Sequence, residues 1–406
     1  MASLVFELAE GRPLTADIRN RIAARIAALR LETFTPCVGS LARDPVHHST
    51  YYLVVDAAGG APQLLHMALA SAPTSSVFHK PLLIGRVRRS SGPEAVVNAI
   101  PFGPADADAL EKYVSRVDGA FLPRPQGQRA ALVAAPSRPE SGMDAAFDAF
   151  RRILKRTGRN VAAIETAPRA YDVALRAAIR AGWRDGYSAG VSIRAGEASR
   201  EAVRQAARFT RFRIDAAGLM AACDGAVEER FEAGFTARER DWILGEFVRR
   251  FDLGEVGYEF TAPEAARMAV RLGPALKACE RLHEWIREAR SAAKASAGFD
   301  FELALPRTSA AELLFSLHWL KTREHAAQSV DPGAMAEAGL ETALRELAAI
   351  GRHYGCALTV DAGEGRTDAA LEAIARAGAG RVNFRVAGEA AGDAQSLSRI
   401  AEALWG

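Results

Sequence analysis

The tightest constraint on this chain is one short pattern that occurs twice in its last quarter. Cys356-Ala-Leu-Thr-Val-Asp361-Ala-Gly-Glu-Gly-Arg366-Thr is an apolar run, a glycine-rich turn and the start of a helix near Thr367. Arg381-Val-Asn-Phe-Arg385-Val-Ala-Gly388-Glu-Ala-Ala-Gly392 repeats the plan, with a helix running on to Leu404. A short β-branched or aromatic run followed by an amphipathic helix is the βα unit of a parallel sheet. Glycines at the strand-to-helix turn let backbone N–H groups approach a ligand, and the helix N-terminus adds partial positive charge. Arg366 and Arg385 add full charges at the same end. In a (β/α)8 barrel the loops after the last two strands are the usual anion site. The pattern therefore predicts a barrel whose mouth opens here; Gly363 and Gly388 either lie against a phosphate or carboxylate or serve the turn without a ligand.

Upstream, the same rhythm holds. Buried strands are predicted at Arg129–Ala135, Ala189–Ile193, Arg211–Asp215, Phe299–Leu305 and Ala327–Val330, with a weak one near Val256–Phe260. Helices are predicted at about 144–156, 167–181 and 332–354. Thr236 with Glu239, Thr261 with Glu264 and Ser309 with Glu312 form capping boxes. The helix opening at Thr261 is expected to run to about Arg290, broken at Gly273-Pro274. No G-x-G-x-x-G follows the first strand, which favours a barrel over a doubly wound sheet. A barrel takes roughly 250 residues, so 406 residues leave room for a smaller unit. Residues 1–125 supply it: an arginine-rich amphipathic helix at 14–30, strand-like runs at 51–56, 62–69, 81–87 and 95–100, and a helix at 104–117. The fold class is thus α/β, a TIM-like (β/α)8 barrel at 126–406 preceded by a small α+β domain at 1–125.

A formal charge of +3 is too small to argue for nucleic acid or a membrane surface as partner. The four cysteines are scattered without a C-x-x-C, which points away from a disulfide framework or zinc ribbon and toward a reducing cytoplasm. The N-terminus lacks the basic-then-apolar plan of a signal peptide, and no run reaches the ~18 apolar residues of a membrane span.

Common catalytic signatures are missing: there is no H-E-x-x-H, no G-x-S-x-G and no complete Walker A. Adjacent His47 and His48 point to opposite faces of a strand, and His318 and His325 are too far apart on a helix to share an ion. Polar residues at predicted strand ends say more: Arg194, Glu197, Asp215, Glu259, Arg307, Asp361, Glu364, Arg366 and Arg385. In a barrel these converge on one mouth, where carboxylates can move protons beside a carbonyl while arginines grip an acid. A salt-bridge network without a reaction would use the same residues.

Several phrases resemble the tagaturonate epimerases, sugar-acid isomerases on a TIM-like barrel that use a divalent metal. Leu154-Lys-Arg-Thr-Gly-Arg159, then Ala178-Ile-Arg-Ala-Gly-Trp183 with Gly186-Tyr, is similar to that family's E-R-T-G-R and F-R-A-G-Y. Phe212-Arg-Ile-Asp215 resembles its F-T-I-D, Phe299-Asp-Phe-Glu-Leu-Ala-Leu305 its F-D-V-E-V-S-V, and Leu347-Ala-Ala-Ile-Gly-Arg-His-Tyr-Gly355 its A-A-I-A-R-H-F-G. The departures cluster at the mouth. Where the family carries Asp and His in a D-x-D-H-like phrase, Val191-Ser-Ile-Arg194 stands here, and Pro306-Arg307 replaces its Asp-Glu. Its H-S-G-S-D-K becomes Asp361-Ala-Gly363-Glu-Gly-Arg366, and Arg385-Val-Ala-Gly388 replaces a Lys before T-A-G-T. Metals of this kind need carboxylates or imidazoles aimed at one point. The resemblance implies a divalent metal in the family whose ligands here are replaced, while the anion-gripping glycines and cations survive.

Three readings follow. As an isomerase or epimerase of a ketohexuronate, the chain would use Asp361, Asp215 or Glu302 as base. Arg194, Arg307, Arg366 and Arg385 would then hold a carboxylated or phosphorylated sugar-like substrate. As a catalytically degenerate homologue, a pseudoenzyme, it would bind such a ligand or a partner without turnover. The third reading is an interaction protein using the basic N-terminal helix. A homo-oligomer is compatible with each.

Overall fold

The computed structural model describes residues 14–28, 34–57, 60–70, 78, 82–88, 94–196, 198–222, 225–254, 256–296, 298–305, 308–333, 340–361, 367–379 and 381–405. Contacts divide the chain into two units, one of residues 1–122 with 172–186, the other of 123–171 with 187–406. The helix Tyr171–Ala181 thus falls, from Asp172 on, in the first unit, although in sequence it lies between two strands of the second.

The first unit is built on an antiparallel sheet. Tyr51–Ala57 and Gln63–Leu69 pair as the sequence suggests, Leu53 opposite Leu65, and Glu94–Pro101 and Leu82–Arg88 follow. Two short strands, Phe34–Pro36 and Ala42–Arg43, add to Tyr51–Ala57 and carry too little pattern to be read beforehand. One face buries Tyr51, Leu53, Val55, Leu65 and Met67 with Ile22 of the helix Ala16–Ala28, and the other face is buried as well, through Tyr52, Val54 and Leu64. The predicted helix at 104–117 is shorter, Ala107–Lys112, and passes into a π-turn through Val117. Gly182, at φ +67°, lies so close to Gly39 that a Cβ on it would stand 2.4 Å from the Gly39 Cα. Arg184 locks that approach, its Nη1 donating to the Gly39 carbonyl at 2.6 Å and its Nε to Asp118 at 2.8 Å.

In the second unit, eight parallel strands among the described residues close into a barrel. They are β1 (Leu132–Pro136), β2 (Ala162–Thr166), β3 (Ser188–Arg194) and β4 (Arg211–Asp215), followed by β5 (Asp300–Ala304), β6 (Ser329–Asp331), β7 (Ala357–Asp361) and β8 (Val382–Gly388). Closure comes from β8 beside β1, Phe384 matching Leu132. Two expectations are corrected. The run near Val256–Phe260 is no barrel strand: Gly257–Glu259 pairs antiparallel with Arg250–Asp252 in a separate hairpin. The missing strand is β2, whose Ala-Ala-Ile-Glu-Thr is short, opens on two alanines and is flanked by helix, so neither propensity nor alternation marks it.

The long helix is also unbroken, running Ala262–Ala292 through Pro274. Proline removes one N–H from the ladder, and packing along the helix outweighs that loss. Gly273 serves contact rather than a break, since a Cβ there would stand 2.5 Å from the Phe235 ring. The capping boxes at Thr236–Glu239, Thr261–Glu264 and Ser309–Glu312 all form. Among the described residues no helix is long and apolar enough to cross a membrane.

Candidate functional site

Side chains alternate across a strand, so each barrel strand sends every second residue inward. A small apolar patch, Ala131, Val133 and Ala163, faces in from the β1–β2 side. Most other inward positions are charged or polar: Glu165, Ser192, Arg211, Arg213, Glu302, Ser329, Asp331, Thr359, Asp361, Asn383 and Arg385. Such a lining departs from the packed aliphatic interior usual for this architecture. It survives burial only because the charges are matched.

The deeper layer centres on Glu302, 1% exposed. Its carboxylate pairs with Arg211, accepts from the Ser329 hydroxyl at 2.7 Å and from the Thr359 hydroxyl at 3.1 Å. Asn383 donates to Thr359 and accepts from the Ala131 N–H, tying the layer to β1. Burial opposes the charge on Glu302, but Arg211 and Arg213 outweigh it and hold the carboxyl below its usual range.

Toward the mouth, a chain of ion pairs and hydrogen bonds crosses the barrel. Asp331 accepts from Arg213 Nη2 at 2.5 Å, and Arg213 Nη1 donates to the Ser192 hydroxyl at 3.3 Å. Ser192 donates to Glu165 at 2.9 Å. Arg385 then grips both oxygens of Glu165, at 3.0 and 2.9 Å, and donates through Nη1 to Asp361 at 2.5 Å. Burial disfavours the Arg385 cation, yet Glu165 and Asp361 reverse this and hold it above the usual arginine range. Asp331 goes the other way: burial outweighs Arg213 and raises its carboxyl.

The sequence-derived candidates are therefore distributed over this interior. Glu302 lies in the deep layer, fully enclosed, while Asp361 and Arg385 share the upper chain. Asp215 and Arg194 stand in register at the ends of β4 and β3, their charges 4.0 Å apart, and the Arg194 side chain is 86% exposed. Asp215 also accepts from the Ala217 N–H at 3.1 Å. Gly388 lines a cavity of about 230 Å³ with Ser137, Arg138, Ser141, Gly142, Glu389 and Gly392, where β8 meets the start of the helix Pro139–Thr157. Its φ of +75° explains the glycine. Arg307, Gly363 and Arg366 lie outside the described residues, as do Glu197 and Glu364. Glu259 belongs to the separate hairpin rather than to a barrel strand.

Glu165, Ser192, Arg211, Arg213 and Asp331 were not singled out from sequence. Period-two counting would have found Arg211 and Arg213 from Asp215, all three on one strand, and Ser192 from Arg194. Glu165 was invisible while β2 was unrecognised. Asp331 ends a strand of only three residues just before a proline.

A divalent metal, as the resemblance implies, needs three or more converging donors. Among the described residues no group of His, Cys, Asp and Glu offers them. The inner carboxylates Glu165, Glu302, Asp331 and Asp361 each face a guanidinium instead. The described residues do not form a divalent-metal site.

Fold and mouth together define the class: a closed (β/α)8 barrel with an N-terminal antiparallel-sheet unit and an arginine–carboxylate network in place of an aliphatic interior. Among solved structures this fold is that of a sugar-acid epimerase. The native crystal structure of fructuronate-tagaturonate epimerase UxaE from Cohnella laeviribosi matches with a TM-score of 0.67 at 16% identity, over 92% of this chain and 75% of that one. The one-glycerol complex of the same enzyme matches with a TM-score of 0.67 at 16% identity, over 91% and 74%. At that identity the likeness establishes the fold, and the motif resemblance had pointed to the same enzymes. No protein-family model matches the sequence, and no curated protein does.

Proposed function

We propose that the barrel mouth binds a small, anionic, polyhydroxylated ligand of the sugar-acid class, and that it does so without a divalent metal. The observation that carries this reading is the Arg213–Ser192–Glu165–Arg385–Asp361 chain. It holds two guanidiniums rigidly at the inner wall of the mouth while leaving no described carboxylate cluster for an ion. Arg194, exposed at the rim, supplies an accessible cation, and the cavity at Gly388 adds Arg138 alongside Glu389. Arg307, Gly363 and Arg366 are proposed to complete the site from the adjoining loops. Glu302 positions Arg211 and Arg213 and is closed off from any ligand. Ligand hydroxyls find acceptors in Asp361 and Asp215 at the strand ends.

Two likenesses support the sugar-acid class: the motifs along the chain and the shared fold with an epimerase of fructuronate and tagaturonate. The test is calorimetric titration of the full chain with tagaturonate and with fructuronate, in EDTA and again with added manganese or zinc. Saturable binding that survives EDTA and weakens in Arg194→Ala is the expected result. Binding that appears only with metal would overturn it.

A second reading, turnover without the family's metal, is favoured by one observation. Asp331 is a buried carboxyl at a strand's C-terminal end, raised by burial, and such groups serve as proton carriers. Incubation with either ketohexuronate in EDTA, followed by chromatography, separates the readings: interconversion lost in Asp331→Asn supports the enzyme, and none supports the binder.

A further inference from the structure

The opposite end of the barrel carries a second concavity that the mouth does not explain. Three residues before the register-matched Phe384, Leu132 and Ala162 stand Arg381, Arg129 and Arg159. Neighbouring strands lie about 4.8 Å apart, so β8, β1 and β2 bring three guanidiniums into a row at the barrel's N-terminal rim. All three line one cavity of about 730 Å³, walled further by Gln128, Gln328 and Trp405.

Among the described residues no carboxylate lines this cavity. Among the described residues neither the Arg129 nor the Arg159 side chain has a hydrogen-bond or ion-pair partner, and Arg381 only donates to the Gln128 amide oxygen at 3.2 Å. The nearby carboxylate, Asp300, is buried and already accepts the Gln126 and Gly127 N–H groups at 2.7 and 2.9 Å. Inside the barrel, by contrast, Arg211, Arg213 and Arg385 each face a carboxylate. Here three like charges share one wall with no counter-charge among the described residues, an arrangement that repels itself until an anion enters.

We propose that this cavity is a binding site for a phosphorylated small molecule bearing at least two anionic groups. Guanidinium forks match phosphate oxygens bidentately, and a row of three spans more than one such group. The Gln128 amide nitrogen offers a donor for uncharged parts, while Gln328 is held as wall by its bonds to the Phe301 N–H and the Ala326 carbonyl, and Trp405 supplies an aromatic wall. The volume suits a mononucleotide-sized ligand. Because the site lies at the other end of the strands from the mouth, its ligand acts as an effector rather than as the reacting molecule.

The full chain is titrated with pyrophosphate and, separately, with ATP, at about 100 mM salt to suppress loose ion pairing. Saturable binding at one site per chain is expected for pyrophosphate, and tighter binding of ATP would assign the nucleoside to the rest of the cavity. Affinity should fall about tenfold or more in Arg129→Ala and in Arg381→Ala, as loss of a charge-assisted contact implies. It should be unchanged in Arg194→Ala, which alters the mouth. Circular dichroism and melting of each variant confirm that the fold is kept. The proposal is overturned if neither anion saturates the protein by about 10 mM, or if binding is lost in Arg194→Ala and kept in the rim variants.

Discussion

Arg385 and Glu165 meet across the barrel, from β8 to β2 with β1 between them, through two parallel N–H···O bonds of 3.0 and 2.9 Å. Planar fork against planar carboxylate is the strongest form of this pair, and Lys could not reproduce it. Removing one partner strands the other in a largely buried site. Arg385→Ala should therefore cost about 2–4 kcal/mol of stability, read from urea unfolding, with Glu165→Gln somewhat less. Arg385→Lys should recover only part. If all three variants match the parent, the pair is ornamental and the rigid-mouth reading loses its basis.

In the deeper layer, Glu302 satisfies Arg211, Ser329 and Thr359 at once. Glu302→Gln keeps the shape but leaves Arg211 without its counter-charge, so a loss of about 3–5 kcal/mol is expected. Pairing Glu302→Gln with Arg211→Met should restore part of the loss, because an apolar replacement of a buried pair is often tolerated. Denaturant titration of the single and double variants measures the difference.

His283 provides a pH signature. Burial first, then His325 and Arg287, depress it to about 4 from the ordinary 6.5. A histidine depressed in the folded state contributes stability above its unfolded pKa and loses it as pH falls through the folded one. Stability should thus decline between pH 6.5 and about 4. His283→Phe, which retains a ring against Phe299 and Phe301, should flatten that decline. Melting temperatures across the window decide; parallel curves would remove His283 as the cause.

Gly182 tests the first unit. Its left-handed backbone and its approach to Gly39 both exclude a side chain. Gly182→Ala should cost about 2–4 kcal/mol, combining strain with overpacking. Hydrogen exchange on Tyr51–Ala57 and Gln63–Leu69 should rise, since Arg184 depends on the same approach. Unchanged protection would show that the loop adapts.

Metal dependence gives the last prediction. With each described inner carboxylate facing an arginine, EDTA should leave the melting temperature unchanged, and elemental analysis should find well under one divalent ion per chain. A stoichiometric ion that stabilises the protein would mean that donors outside the described residues build a site.

The sequence by itself determined the architecture and its polarity. The doubled βα unit at 356–404, the capping boxes and the absence of a dinucleotide turn were enough for a barrel, because local periodicity and turn chemistry act within a few residues. Two strand-like runs joined by Ala-Gly-Gly likewise revealed the hairpin at 51–69. Periodicity could not reveal β2, since a five-residue strand rich in alanine has no periodic signature and gains its stability from neighbours on either side. Nor could it pair the charges. Arg213 with Asp331 and Arg385 with Glu165 are separated by 118 and 220 residues, and many other carboxylates were equally plausible partners. Only closure of the barrel, which fixes register and sends alternate residues inward, decided which arginine meets which acid. The same closure lined up Arg381, Arg129 and Arg159 on one rim.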